Sequence, residues 1–139
     1  MQLWALNVPI TIMVDDWVPL REWGRDYTTW FAKISDDGAI WPAIMEKAFA
    51  KFHGNWSRII SGDSVAGISA LNGSPSKKLR HNESSINEVW DMIEKYDRAP
   101  HRGMIVGGTP GSSDRETNGY GLVNNHAYPV LKAVTLRNG

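Results

Sequence analysis

Four histidines are the groups in this sequence best suited to moving a proton near neutral pH, because the imidazole is the side chain whose ordinary pKa lies there. One of them, His126, stands in Gly121-Leu122-Val123-Asn124-Asn125-His126-Ala127-Tyr128, between a glycine-rich stretch and an apolar run. On composition alone it reads as a half-buried strand histidine, since most histidines are not catalytic. His53, His81 and His101 have no partner at metal-ligand spacing and read as surface or capping groups, so no zinc site is expected. Asp36 and Asp37 offer carboxylate oxygens, but without a defined ligand loop they read as solvated surface. Cysteine is absent from all 139 residues. That removes disulfides, thiolate metal sites and a thiol nucleophile together.

Other segments suggest chemistry and lack the parts for it. Gly107-Gly108-Thr109-Pro110-Gly111-Ser112 is glycine-rich like a phosphate loop, yet no Gly-Lys-Ser/Thr ending follows and Pro110 removes an amide donor. It reads as a connecting loop. Lys77-Lys78-Leu79-Arg80 is a short basic patch of the kind found in soluble linkers. Fifteen basic residues balance 15 acidic ones, so no overall field draws the chain to nucleic acid, an anionic membrane or an acidic partner. No apolar run approaches the roughly 20 residues of a membrane helix, and Met1 to Leu6 lacks the length and basic flank of a leader. An intracellular, cytoplasmic setting is the default expectation. Seven tryptophans require a core or an interface to cover them, and much buried aromatic surface is expected.

The elements that must position these groups follow from periodicity. Ile10, Ile12 and Val14 alternate with Thr11, Met13 and Asp15, which predicts a half-buried strand over Val8 to Val14, ended by Asp15-Asp16 and Pro19. Arg21 to Gly38 shows no sustained period and reads as an ordered loop. Trp41, Ile44, Met45, Ala48, Phe49 and Phe52 share one helical stripe, which predicts a helix over 41–52 with Pro42 in its first turn and Gly54 as its C-cap. Ile59 to Asn82 is rich in Gly, Ser and Asn and reads as loop and linker. Ser85 and Glu88 form a capping box for a helix over 86–96 with the stripe Ile86, Val89, Trp90, Ile93 and Tyr96. Strands are expected near 104–106 and over 127–136, and Asn138-Gly139 reads as a hairpin turn with no second strand after it.

Three of these stretches together resemble the protease core of the calpain family. Ile12-Met13-Val14-Asp15-Asp16-Trp17-Val18-Pro19 is similar to that family's strand ending in Asp-Asp-x-Leu-Pro. Trp41 to Lys51, with Gly54 and Ser61-Gly62 behind it, resembles the family's Trp-x-x-Leu-Leu-Glu-Lys-Ala-Tyr-Ala-Lys helix and following turn. Gly121 to Tyr128 resembles the Gly-Leu-Val-x-Gly-His-Ala-Tyr strand that presents the catalytic histidine, with Asn125 in place of a glycine. The order and spacing agree over nearly the whole chain.

The resemblance implies an α+β, partial papain-like fold, with helices packed on antiparallel strands and incomplete lobes over 1–82 (cysteine side) and 83–139 (histidine side). It implies a cysteine endopeptidase reaction in which a thiolate attacks a peptide carbonyl and His126 serves the sulfur and the leaving amine. The family's Gly-x-Cys-Trp segment lies upstream, and the chain is expected to begin after it. Its orienting asparagine sits in Arg-Asn-Pro-Trp-Gly, one strand beyond the turn that Arg137-Asn138-Gly139 occupies, so Asn138 is not assigned to the triad. A calcium ligand of the family falls two positions before Trp41, where this chain has Ala39, so no cofactor is assigned. The chain alone is expected to be inactive, with other polypeptide covering its incomplete lobes and peptide substrate engaged only where a cysteine is supplied. The alternative is a non-catalytic calpain-homology module, a pseudoenzyme serving assembly.

Overall fold

Leu3 is fully buried, and the way it is covered explains the first part of the molecule. A computed structural model describes residues 1–98 and 103–136 and divides the chain into two compact units, Met1–Ser76 and Lys77–Gly139. In the first unit, β1 (Gln2–Ala5) and β2 (Val8–Thr11) form an antiparallel hairpin in the register Leu3↔Ile10 and Ala5↔Val8. Leu6 and Asn7 close it with φ of 49° and 64°, the two left-handed residues of a type I′ turn. The predicted strand over Val8 to Val14 is thus shorter, because the ladder ends where β1 ends. The partner strand at Gln2 to Ala5 was not expected from sequence.

β3 (Leu20–Trp23) and β4 (Asp26–Thr29) form a second hairpin within the segment read as a loop. Gly24, at φ 66°, stands first in its two-residue turn, where a positive φ is needed. The alternation there is aromatic and charged, which is why an aliphatic period does not reveal it.

The helix α1 (Trp41–His53) forms as predicted, one residue longer, with Pro42 in its first turn and the Gly54 amide donating to Lys51 O at 3.1 Å. Its covered surface is wider than the apolar stripe. Ala48 of the stripe is buried, but so are Ala43 and Ala50, while Trp41 is 63% exposed. The polar side of α1 is covered by the chain that precedes it. Glu46 accepts the Ala32 amide at 2.6 Å, the Lys51 ammonium donates to Met13 O at 2.7 Å, and Lys47 pairs with Asp15. After α1 a single 3₁₀ turn, Trp56–Ile59, stacks Trp56 on Phe31 with ring centres 4.2 Å apart.

The stretch read as linker contains α2 (Ser64–Asn72). Asp63 caps it by accepting the Val65 amide at 2.8 Å, and Gly73 ends it in the left-handed conformation at φ 67°. α2 packs on β1, with the Trp4 ring lying against Gly73. The Gly, Ser and Asn that suggested a linker are the caps and exposed face of a short helix.

In the second unit, α3 (Ile86–Arg98) carries the expected capping box: Glu88 accepts the Ser85 amide at 2.7 Å and hydroxyl at 2.9 Å, and the Glu88 amide returns to Ser85 Oγ at 3.2 Å. β5 (Val106–Gly108) and β6 (Ala127–Pro129) pair antiparallel with Gly107 opposite Tyr128. The strand expected at 104–106 lies two residues later, since pairing is set by β6. The strand expected over 127–136 stops at Pro129. Val130 still donates to Ile105 O at 2.9 Å, but the Ala133 amide goes to Asp97 of α3 at 3.1 Å, leaving the sheet for the helix. The turn expected at Asn138-Gly139 lies outside the described residues.

The molecule is α+β, with helices and short antiparallel pairs. The expectation of buried aromatic surface is not met. Trp17, Trp23, Trp30 and Trp41 are all more than half exposed, because the buried side chains among the described residues are Leu3, Thr29 and four alanines, too few and too small to cover large rings. No helix among the described residues is long and apolar enough to cross a membrane.

Candidate functional site around His126

The backbone of His126 is gripped by one residue 17 positions earlier. The Thr109 amide donates to His126 O at 2.9 Å, and the His126 amide donates to Thr109 Oγ1 at 3.1 Å. The Thr109 hydroxyl in turn donates to Val123 O at 2.7 Å and approaches His126 O at 3.2 Å. Both polar backbone atoms of His126 are therefore satisfied by Thr109, which continues the β5–β6 ladder by one more pair.

The turn before His126 is set by Asn125, at φ 50°. Asparagine tolerates that left-handed conformation better than most residues with a side chain, so its replacement of the expected glycine is accommodated. The Asn125 amide reaches Pro110 O at 3.3 Å, and Gly111, at φ 129°, lets the chain pass where an added Cβ would lie 2.8 Å from Asn124 Cβ. Gly107 to Ser112, read as a plain connecting loop, is thus the strand and turn that back the histidine. Residues 116–124 close a small loop on the other side: Thr117 bridges Val123, and Asn118 Oδ1 accepts the amides of Tyr120 and Leu122 at 2.9 and 3.1 Å.

The result is an imidazole on a rigid mount. Its ring is exposed, and its ring contact is edge-on to Tyr128, with centres 5.2 Å apart. Tyr128 is itself fixed, its hydroxyl accepting the Val123 amide at 2.9 Å. Among the described residues no hydrogen bond is made by the ring nitrogens. Such a ring can take or give a proton only to a group brought to it. The hydroxyl alongside, that of Thr109, has its hydrogen committed to Val123 O. No cysteine exists in the sequence to act as nucleophile.

The first two motif segments meet in the other unit. Lys47, from the α1 motif, holds the Asp15 carboxyl of the Asp15-Asp16 segment below the usual carboxylate range, helped by the Trp17 amide at 2.9 Å. Lys51 and Glu46 of the same motif fasten Met13 and Ala32. Sequence reasoning missed these three as a clamp, as it missed Thr109. Their one visible signal is polar residues at i, i+1 and i+5 on a helix whose own apolar stripe lies elsewhere.

This resemblance at the level of motifs extends over the full chain, because the model of the calpain family of cysteine proteases matches residues 1–139. The chain belongs to the calpain family. Similar relatives include a calpain-type cysteine protease of Oryza sativa subsp. japonica, 27% identical over 130 residues, which covers 88% of this chain and 6% of the relative. Calpain-9 of Homo sapiens is 26% identical over 133 residues, covering 93% of this chain and 18% of that protein. A calpain of Schistosoma mansoni is 27% identical over 130 residues, covering 93% and 17%. This calpain-family chain therefore spans less than a fifth of the length of each. No solved structure matches it.

The calcium position that the family suggests can be tested on this chain. Ala39 brings no side-chain oxygen, and its amide donates to Asp37 at 3.1 Å. The Asp37 carboxyl also takes the Ser35 hydroxyl, and these two bonds hold it below the usual carboxylate range. Asp37 is thus occupied in closing its own turn. Among the described residues no group of three or more His, Cys, Asp or Glu is placed to hold a metal ion. The residues present do not fit a calcium at this position. Of the other histidines, His53 ends α1 with its ring edge-on to Phe49 and Phe52 at 4.5 and 5.1 Å, His81 is exposed, and His101 lies outside the described residues.

Proposed function

We propose that this calpain-family chain supplies the histidine side of a cysteine endopeptidase centre, with the nucleophilic sulfur and the orienting asparagine provided by other polypeptide, and that it hydrolyses nothing by itself. The observation that carries the reading is the His126 imidazole, held out on a backbone fixed twice by Thr109 while its nitrogens have no structural task. In this role the imidazole stabilises a thiolate approaching from outside the chain and then passes a proton to the departing amine. The proposal places 1–82 in the cysteine-side lobe and 83–139 in the histidine-side lobe of a papain-like core. The exposed Trp17, Trp23, Trp30 and Trp41 support it, since large aromatic rings are among the side chains enriched where other polypeptide is bound.

The test uses the chain alone and the longer polypeptide or complex in which it occurs. A fluorogenic peptide substrate should show no turnover with the chain alone. A thiol-directed peptidyl epoxide should label the larger assembly, and His126→Ala should lower labelling and turnover by at least about 10²-fold, the scale of positioned acid–base catalysis. An assembly that is not labelled, or whose labelling survives His126→Ala, overturns the reading in favour of a non-catalytic module.

A further inference from the structure

The seven prolines include two that directly follow a serine or threonine, at Ser74-Pro75 and Thr109-Pro110. The two dipeptides are alike in sequence and opposite in structure. Thr109 is half-buried, its hydroxyl hydrogen is given to Val123 O at 2.7 Å, and its oxygen accepts the His126 amide at 3.1 Å. An enzyme reaching for that oxygen would have to dismantle the mount of His126.

Ser74 is exposed, one residue past the left-handed Gly73 that ends α2, in a stretch over 73–80 with no helix or strand. Its backbone is held: the amide donates to Asn72 Oδ1 at 2.9 Å and the carbonyl accepts from Ser69 Oγ at 3.4 Å. Its hydroxyl makes no hydrogen bond among the described residues. Ser76, two residues on, is less free, because its hydroxyl is shared with Ser69 at 2.9 Å. After Pro75 come Lys77, Lys78 and Arg80, so a cation stands third after Ser74.

We propose that Ser74 is a phosphorylation site, modified by a protein kinase that requires proline immediately after the acceptor and reads a cation three residues after it. Proline suits such an enzyme because its φ is preset and it brings no amide hydrogen that would be left unpaired in a closed pocket. The segment is already non-helical and exposed, so presenting it extended breaks no ladder. In the transfer, Ser74 Oγ bonds to the γ-phosphorus of a nucleoside triphosphate as the bond from that phosphorus to the β-bridging oxygen breaks. The hydroxyl proton passes to the kinase's carboxylate base, and the diphosphate departs. The product carries a charge of about −1.5 to −2 on Ser74, within a few residues of Lys77, Lys78 and Arg80.

The test incubates the full chain with ATP and a proline-directed kinase that favours a basic residue at the third position, alongside a free peptide of residues 70–80. Phosphosites are located by tandem mass spectrometry. A single phosphate on Ser74 is expected in both, absent in Ser74→Ala, at least tenfold slower in Pro75→Ala and slowed in Lys77→Ala. Phosphate on Thr109 or Ser76 in place of Ser74 overturns the proposal. So does a full chain that stays unmodified at a kinase level that modifies the peptide, or a peptide that is not modified at all.

Discussion

Gly73 offers the sharpest test of how the first unit is held together. Replacing it with alanine adds one methyl group at a position with two separate constraints. The first is conformational: at φ 67° an alanine sits in the left-handed region, at a cost of about 1–2 kcal/mol. The second is steric: the new Cβ would lie 2.4, 2.7 and 2.8 Å from three atoms of the Trp4 ring, and overpacking of this kind costs about 1–3 kcal/mol. The sum centres on about 3.5 kcal/mol. For a unit the size of Met1–Ser76, at about 4–8 °C per kcal/mol, that is a fall in melting temperature of roughly 14–28 °C. Gly24 separates the two terms, because its φ of 66° is nearly the same while a methyl group added there would meet nothing within 4 Å. Gly24→Ala should therefore lose only about 1–2 kcal/mol. Thermal melts followed by circular dichroism and tryptophan fluorescence measure both, and combining Gly73→Ala with Trp4→Val closes a double-mutant cycle. The excess cost of Gly73→Ala over Gly24→Ala should vanish in the Trp4→Val background. An excess that persists there, or no excess at all, refutes the contact between α2 and β1.

Leu6 is 98% exposed and holds φ 49° in the β1–β2 turn, so Leu6→Asn should relieve strain and stabilise the chain by about 1 kcal/mol, read as a raised denaturant midpoint at unchanged slope. The Ser85 amide and hydroxyl hold the Glu88 carboxyl below the usual range, aided by Lys77. A folded value below the unfolded one means the capping box contributes its full stability at neutral pH and loses it as pH falls through the folded value. Glu88→Gln should flatten that acid limb of the melting-temperature profile, while Ser85→Ala should cost about 1 kcal/mol at neutral pH. Thr109→Val removes the hydroxyl shared by Val123 and His126. Its expected signature is faster hydrogen exchange at the His126 amide, with the α3 amides unchanged.

What the sequence made legible depends on how local each signal is. α1 and α3 carry their own evidence, a stripe and caps within 13 residues each, and both form within two residues of the expected bounds. α2 has caps as clear, Asp63 and Gly73, around Val65, Ile68 and Leu71. It escapes a reading by composition because nine residues with an internal Gly and two Ser resemble a linker when composition is weighed before caps. The hairpins escape it because four-residue strands hold too few alternations, and their register is fixed by turns whose positive-φ residues include a leucine. In the site, His126 stands in a recognisable motif. Thr109 is beyond such reading, because its role arises from pairing across 17 residues.

The residues that carry the family likeness divide by the work they do in the fold. Asp15, Glu46, Lys47 and Lys51 fasten the strand exit to α1, and Gly54 ends that helix. Val123 and Tyr128 brace each other through the amide-to-hydroxyl bond, and Asn125 makes the turn. Each holds backbone or a helix end in this fold, so its presence does not by itself speak for catalysis. The His126 imidazole differs: its backbone would be held equally well with another side chain, and the ring's contribution to folding is one edge contact with Tyr128, of the order of 1 kcal/mol at most where exposed. For the residues just named, folding accounts for the likeness, and for this ring it does not. His126→Ala should then leave the melting temperature nearly unchanged, and thermal melts of the two chains followed by circular dichroism check it.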